Sequence, residues 1–125
     1  MMLEDCPVSA TLRYISGKWK PLILNELKTA ALGFGQLQRK IPEASHKVLT
    51  EQLRQLQKAG IITRTTHKGS VQRSNYELSE LGQTLRPALH EMAMWGTKAR
   101  QRERASLRRQ PKKQSSELFH SAVGK

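Results

Sequence analysis

The chain is poor in cysteine, aromatic residues and long apolar stretches, and each shortage excludes a class of protein. Cys6 is the single cysteine in 125 residues, so an internal disulfide framework is excluded and a reducing compartment, the cytoplasm, is expected. Aromatic residues make up 5% and hydrophobic residues 37%, enough for a modest core that dimerisation would help to complete. No apolar run approaches the roughly 20 residues of a membrane span, and residues 1–7 show no secretory signal pattern.

Acidic residues are also scarce, because 10 Asp and Glu stand against 22 Lys and Arg, a formal net charge of +12. The excess lies near the C-terminus, where residues 98–113 carry eight basic residues against Glu103 alone. Such a charge indicates a polyanionic partner. We expect one folded domain over residues 1–97 and a basic, flexible extension over residues 98–125. That extension is either a solvated tail or an arm that binds phosphates.

Apolar residues recur at helical spacing in three segments of the first 41 residues. The first helix is predicted over residues 7–16, where Gly17 ends it. The second is predicted from residue 18 onwards, with a proline that is acceptable in its first turn and apolar side chains on two sides. The third is predicted over residues 34–41, since Pro42 disfavours helical geometry in the residue before it.

A fourth predicted helix carries the clearest indication of function. Ser45 is a suitable N-cap, Gly60 a suitable C-cap, and three leucines recur at i, i+4 and i+7 to form an apolar seam: Leu49, Leu53 and Leu56. Residues 45–59 would span about 22 Å, enough to lie in a major groove. The N-terminal polar residues are positioned for base edges, namely Ser45, His46, Lys47 and Thr50. Arg54 and Lys58 suit phosphates better.

A hairpin follows this helix. Residues 61–67 and 72–78 are rich in residues that favour strands, and a glycine-containing turn separates them. His67, Lys68 and Arg73 place positive charge at or near its tip, as the wing of a DNA-binding domain requires. A solvated helix and a plain surface hairpin are the alternatives for these two elements. Their succession after a helix and a proline turn favours the DNA-binding interpretation.

The last predicted helix is capped by Ser79 and kinked by Pro87. Its apolar residues are too numerous to stay exposed, so we expect it to pack beside the first helix and against a second protomer. The predicted dimer interface contains Leu12, Leu85, Leu89, Met92 and Trp95. The predicted fold is mainly α with a small β-hairpin wing, a winged helix-turn-helix that dimerises through its first and last helices.

Six segments in this order carry a family resemblance: Cys6-Pro7, residues 17–24 (GKWKPLIL), 34–37 (FGQL), 47–56 (KVLTEQLRQL) and 76–82 (YELSELG), and Trp95-Gly96. Together they resemble the HxlR-type bacterial winged helix-turn-helix regulators, which are related to the MarR group. The resemblance implies a homodimer that presents two recognition helices to a pseudo-palindromic operator in double-stranded DNA, as a repressor or an activator. It also implies that the helix beginning near Ser45 is the recognition helix.

Cys6 has two interpretations that the sequence leaves open. Some members of the resembled family sense oxidants or electrophiles through a cysteine at the matching place. A helix N-terminus favours the thiolate that this chemistry requires, although Glu4 and Asp5 oppose it. With no second cysteine, the routes are alkylation, a mixed disulfide, or a Cys6–Cys6 bridge between protomers. The other interpretation is a small apolar residue packed at the interface.

Other chemistry is weakly represented in the sequence. The four histidines lack metal-site spacing, and neither a phosphate loop nor a nucleophile elbow is present, so we expect no enzyme activity, no metal and no cofactor. Trp19, Met92, Met94 and Trp95 are either core residues or the lining of a small-molecule effector pocket between protomers. Two functions remain: a sequence-specific transcriptional regulator, and a non-specific nucleic-acid or architectural binder driven by the basic extension.

Overall fold

The computed structural model describes residues 6–67 and 73–109. Its elements, in chain order, are α1 Pro7–Ile15, α2 Lys20–Leu27, β1 Leu32–Gly33, α3 Phe34–Lys40, α4 His46–Lys58, β2 Ile62–His67, β3 Arg73–Leu78, α5 Glu80–Thr84 and α6 Arg86–Arg108. The chain divides into two units, residues 1–89 and residues 90–125. The predicted fold class, mainly helical with a small antiparallel sheet, is confirmed.

The first three helices begin and end close to the predicted positions. Pro7 opens α1 directly after Cys6, and Gly17 lies beyond its end with a φ of +105° that a side chain would make unfavourable. The second helix begins at Lys20, two residues later than predicted, with Pro21 in its first turn. The third ends before Ile41, whose φ of −126° and ψ of 66° leave the helical region. Pro42 imposes that departure on the residue before it.

The amphipathic character of α4 fixes its orientation. Its three leucines are 0–1% exposed, so the predicted apolar seam is confirmed. At the N-terminus the hydroxyl of Ser45 accepts a hydrogen bond from the amide of Val48, 3.1 Å away, which satisfies one unpaired donor of the first turn. At the other end Ala59 is the capping residue, and Gly60 follows it with a φ of +80°.

The sheet has three antiparallel strands in the order β1-β3-β2. The predicted hairpin is confirmed as β2 and β3, whose pairing joins Ile62 to Leu78 at one end. Tyr76 and Leu78 are both buried, as the predicted shared face requires. Strand β1 was not predicted, because its two residues are too few to show alternation. It pairs Leu32 with Tyr76 and so joins the start of α3 to the hairpin.

The predicted final helix is broken into two, which corrects the expectation of a single kinked helix. Ser79 caps α5 through a 3.0 Å hydrogen bond from the amide of Gly82, as expected, but α5 ends after five residues. Leu85 forms a turn and α6 begins at Arg86. The cause is Pro87, which has no amide hydrogen for the carbonyl of residue 83 and whose ring would collide with it in a continuous helix.

The core lies between α2, α3, α4 and the sheet. Its most deeply buried side chains are Ile23, Leu24, Leu37, Leu49, Leu53, Leu56 and Ile62. On α2, Leu24 is fully buried beside Ile23 and Leu27, whereas Leu22 is 43% exposed, so the helix is buried along one face and the predicted burial on two sides is not confirmed. Trp19, Phe34 and Leu85 pack against this core as partly buried residues.

The described part of the second unit is helical as far as Arg108. Residues 98–108, expected to begin a flexible extension, therefore belong to α6. Residues 110–125 lie outside the described residues. The division of the chain near residue 97 stays a prediction.

The backbone carbonyl of Ile61, just before β2, is hydrogen-bonded to Ser79, the N-cap residue of α5. The oxygen of Ile61 accepts from the amide of Ser79 at 2.9 Å and lies 2.9 Å from its hydroxyl. A β-carbon placed on Gly82 would overlap the same oxygen. Because that carbonyl is already held by Ser79, it cannot move away without loss of hydrogen bonds. Gly82 is therefore required for the close approach of α5.

We expect Gly82→Ala to lower the free energy of unfolding by about 1–3 kcal/mol, the usual cost of overpacking. Gly35→Ala is the matched control, because its new β-carbon would meet only the end of the Arg39 side chain at 3.6 Å. That substitution should be neutral or stabilise α3 by up to ~1 kcal/mol. Urea unfolding followed by circular dichroism measures both. Equal stability of the two variants would contradict the packing argument.

Candidate nucleic-acid interface

The outer face of α4 collects the residues that the sequence suggested for DNA contact. Its six predicted contact residues are all exposed: Ser45, His46, Lys47, Thr50, Arg54 and Lys58. The buried leucines on the opposite side hold the helix against the core, so this polar face points to solvent. The hydroxyl of Thr50 donates to the carbonyl of His46 at 2.7 Å, which leaves its lone pairs as acceptors.

The N-terminal part of α4 is held against α3 by a ring contact. The centroids of Phe34 and His46 are 4.6 Å apart, with planes inclined at 49°. Such tilted geometry is favourable between aromatic rings. The contact restricts the imidazole to the side of α4 that faces α3.

Arg54 does not present a free positive charge. Its Nη2 and Nε atoms donate to the two carboxylate oxygens of Glu51 at 2.6 and 3.0 Å. This hydrogen bonding, followed by the one from Gln55, lowers the pKa of Glu51 to about 2. Glu51 is therefore ionised at every pH near neutrality, and it compensates the charge of Arg54. The i, i+3 spacing was a signal for this pair in the sequence, but the prediction did not use it.

A polar link joins the start of α2 to the middle of α4. The ammonium group of Lys20 donates to the side-chain oxygens of Gln52 and Gln55 at 3.0 and 2.6 Å. Gln55 in turn donates to Glu51 at 3.2 Å. These bonds fix the flank of α4 that adjoins α2. No pattern in the sequence indicates them, since residues 20 and 55 meet only through the tertiary fold.

The predicted wing is described only in part. His67 pairs with Arg73 at the end of the two strands, and nothing beyond the backbone of these two residues is described. Lys68 lies outside the described residues. A further cation, Arg64, is exposed on β2, and its Nε donates to the hydroxyl of Ser74 at 3.0 Å. Arg64 was not among the predicted contact residues.

A polar cleft of about 680 Å³ lies between α3, the start of α4 and the hairpin. Its walls carry two arginines and no carboxylate. The lining residues are Gly33, Phe34, Gly35, Gln36, Arg39, His46, Thr50, Arg64, Ser74, Asn75 and Tyr76. His46 and Thr50 therefore belong both to the outer face of α4 and to this cleft.

Cys6 is the N-cap residue of α1 and is partly exposed. Its sulfur forms no capping hydrogen bond at ordinary distances. The backbone amide of Ser9, then its hydroxyl and then the amide of Val8, nevertheless favour the thiolate and lower the pKa of Cys6. The predicted effect of the helix N-terminus on this thiol therefore has the expected direction.

The predicted dimer-interface residues fall into two groups. Leu12, Met92 and Trp95 are 43%, 47% and 72% exposed, so each leaves apolar surface uncovered in a single chain. Leu89 is buried in the core of the protomer, and Leu85 packs against that core. These two residues therefore already have apolar partners within one chain.

An apolar cleft of about 320 Å³ opens beside α1, the end of α4 and α5. It is lined by Ala10, Thr11, Tyr14, Ile15, Ala59, Ile61, Leu81, Gly82, Thr84 and Leu85. None of the residues suggested for an effector pocket between protomers is among them. Trp19 instead packs against the core, whereas Met92, Met94 and Trp95 are exposed.

Two further properties of the described residues bear on other functions. Among residues 6–67 and 73–109, no group of three or more His, Cys, Asp or Glu side chains could hold a metal ion. Within the same residues, no helix combines the length and the apolar character that crossing a membrane demands.

Comparison with known proteins identifies the architecture. The family model described as HxlR-like helix-turn-helix matches residues 14–104. The HTH-type transcriptional regulator YdeP of Bacillus subtilis is 37% identical over 99 residues, which cover 79% of this chain and 77% of YdeP.

Two regulators of known structure share the fold. The redox regulator HypR in its reduced form superposes with a TM-score of 0.73 at 34% identity, over 76% of this chain and 94% of HypR. Its oxidised form gives a TM-score of 0.70. The reduced transcriptional regulator YodB of Bacillus subtilis gives 0.65 at 28% identity, over 76% of this chain and 91% of YodB, and a diamide-treated form of YodB gives 0.64. The chain belongs to the HxlR-like helix-turn-helix family and is a winged-helix transcriptional regulator, not an enzyme.

Proposed function

We propose that the protein acts as a homodimer that inserts two copies of α4 into successive major-groove half-sites of a pseudo-palindromic operator. The observation that carries this proposal is the division of α4 into a fully buried leucine seam and an exposed polar face. At ~1.5 Å per residue, its 13 residues extend over about 20 Å, which suits a major groove. We propose that this regulator acts in the cytoplasm, because its DNA target lies there.

The proposed roles follow from position along α4. Ser45, His46, Lys47 and Thr50 lie in its N-terminal half, which in helix-turn-helix complexes meets base edges. Lys58 and Arg54 lie further along and are proposed to meet phosphates, Arg54 only by exchanging its partner Glu51 for a phosphate. In the wing, His67, Lys68 and Arg73 are proposed to contact phosphates or the minor groove.

Dimerisation is proposed to cover the exposed apolar residues of α1 and α6. Leu12, Met92 and Trp95 are proposed to be covered, because each exposes apolar surface in one chain. A two-fold dimer would present two identical recognition helices, and the symmetry of the operator would mirror it. Analytical ultracentrifugation of the full chain tests this part of the proposal.

We expect tighter binding to the DNA upstream of the protein's own gene than to random duplex of equal length. Lys47→Ala and Thr50→Ala should each reduce the discrimination between these duplexes, because removal of a base contact costs about 1–3 kcal/mol. Fluorescence anisotropy at fixed salt measures both affinities. Arg13→Ala, an exposed substitution on α1, is the control. Equal loss of affinity on both duplexes would count against base recognition by α4.

Cys6 is proposed as a thiol that makes DNA binding respond to oxidants or electrophiles. Its partial exposure and lowered pKa support this role, as does similarity to HypR, a redox regulator with reduced and oxidised forms. With one cysteine per chain, two thiols of a dimer can be oxidised to one disulfide, with two electrons and two protons passing to an oxidant such as diamide. Alkylation by an electrophile is the other route.

We expect Cys6 to be alkylated by iodoacetamide faster at pH 7 in the folded protein than in the same protein unfolded by urea. The lowered pKa increases the thiolate fraction at neutral pH, and the thiolate is the nucleophile. Ser9→Ala removes the hydroxyl that helps to lower this pKa, so its alkylation should be slower. If neither diamide nor an alkylating quinone changes operator binding, the sensing role is wrong even where the thiol is reactive.

A second candidate function is non-specific nucleic-acid binding through the basic end of the chain. The observation that favours it is the helical arrangement of exposed cations in α6, where Arg100, Arg104 and Arg108 recur at i, i+4 and i+8. Like charges at this spacing destabilise a helix by a few tenths of a kcal/mol per pair. A polyanion would relieve that repulsion.

Joint replacement of these three arginines by glutamine distinguishes the two functions. If the basic helix dominates, affinity for random duplex should fall and the salt dependence of log K should flatten by about 0.9 for each phosphate that is no longer bound. The triple Arg→Lys variant at the same positions retains the charge and serves as control. Operator affinity that survives the glutamine substitutions would assign specific binding to the winged helix.

A further inference from the structure

The polar cleft between α3, α4 and the hairpin offers a second kind of contact with DNA. The proposed function places α4 in a major groove and the wing toward the next groove, so that a ridge of phosphates separates them. The polar cleft lies between α4 and the hairpin, at the place where that ridge would pass. Whatever lies there in the complex must fit a polar, uncompensated cationic surface.

Two arginines give this cleft its charge. Arg64, which lines the cleft, donates its Nε to the hydroxyl of Ser74 at 3.0 Å, and this bond does not use its terminal nitrogens. Arg39 lies on the α3 wall, where its Nη1 comes close to Gly35. Among the described residues, Arg54–Glu51 is the only ion pair, so neither cleft arginine has a described carboxylate partner. A guanidinium without a carboxylate is suited to bidentate binding of phosphate.

The two cleft arginines differ in their partners from Arg54, the arginine on α4. Arg54 is held by Glu51 through two hydrogen bonds, and approach of DNA would have to break that pair or bring a carboxylate near phosphates. Arg39 and Arg64 carry no such penalty. We infer that Arg39 and Arg64 clamp the phosphate backbone of the operator strand that passes between α4 and the wing, with Ser74 orienting Arg64. This inference rests on the proposed mode of DNA binding.

Phosphate clamping makes a prediction that base recognition does not. Arg39→Ala and Arg64→Ala should each weaken binding to operator and to random duplex by the same factor. Each should also reduce the slope of log K against log salt by about 0.9 for every phosphate that the variant no longer binds. Between 50 and 200 mM salt, the loss of affinity should then be about three- to fourfold smaller for each such phosphate. Titrations by fluorescence anisotropy at four salt concentrations measure both quantities.

Three control variants separate the clamp from general electrostatics. Arg86→Ala makes the same change in net charge at an exposed position outside the cleft, and should alter the slope less. Arg64→Lys keeps the charge but loses the planar fork, so the slope should survive while affinity falls. Ser74→Ala leaves the charge untouched and removes the orienting hydrogen bond, so affinity should fall with no change of slope. Circular dichroism confirms that each variant is folded.

The outcomes distinguish this inference from the proposed function. If Arg39→Ala and Arg64→Ala behave as Arg86→Ala does, or selectively reduce discrimination between sequences, the clamp is wrong while specific binding by α4 stands. If the unmodified protein binds neither duplex, or binds both equally, the proposed function itself fails. A uniform loss on both duplexes with a reduced slope, seen only for the cleft arginines, supports the clamp.

Discussion

Burial of the leucine seam of α4 is the constraint on which the remaining structure depends. Leu49, Leu53 and Leu56 are essentially inaccessible, and replacement of such a buried leucine by alanine costs about 2–5 kcal/mol in other proteins. A rotation of α4 about its axis would expose them. Because the rotation is fixed, the set of side chains on the outer face is also fixed. The hydrophobic core thereby determines which residues can meet a groove.

Polar contacts then complete the placement that the seam begins. Lys20 ties one flank of α4 to α2, and the ring of Phe34 holds His46 on the other flank. The Ser45 cap fixes where the helix starts. The helix is therefore restrained in rotation by its leucines and along its flanks by α2 and α3. Preorganisation of this kind reduces the ordering cost of binding.

The sequence predicts the helices and the hairpin well, because each depends on signals within one segment. The caps at Ser45 and Ser79, the turn before Pro42 and the 3.6-residue spacing of leucines are all local. Strand β1 was missed because it exists only through pairing with β3. Pro87 was recognised, but its consequence was underestimated: with Leu85 already in a turn, the chain breaks instead of bending.

The candidate site was predicted less completely, for the same physical reason. Arg64 and Ser74 lie on the paired strands of the hairpin, whereas Arg39 belongs to α3, which is remote from them in sequence and meets them only at the cleft. No periodicity could have grouped them. The state of Arg54 was a different case, since Glu51 stands three residues before it on the same helix. In the sequence, Arg54 was counted as a free positive charge, whereas in the folded protein its ion pair with Glu51 compensates that charge.

The ion pair between Arg54 and Glu51 also affects which elements supply affinity and which supply selectivity in the proposed complex. With Glu51 ionised at neutral pH, the outer face of α4 contributes little net charge near its middle. Its N-terminal half offers hydroxyl, imidazole and ammonium groups that can match the donor and acceptor pattern of bases. Among the described residues, the arginines without a carboxylate partner include those of the cleft and those of α6, and the phosphates that we propose for them carry no sequence information. In the proposed complex, selectivity and salt-dependent affinity therefore reside on different elements, so that substitutions in α4 can change the preferred operator without loss of the general attraction to DNA.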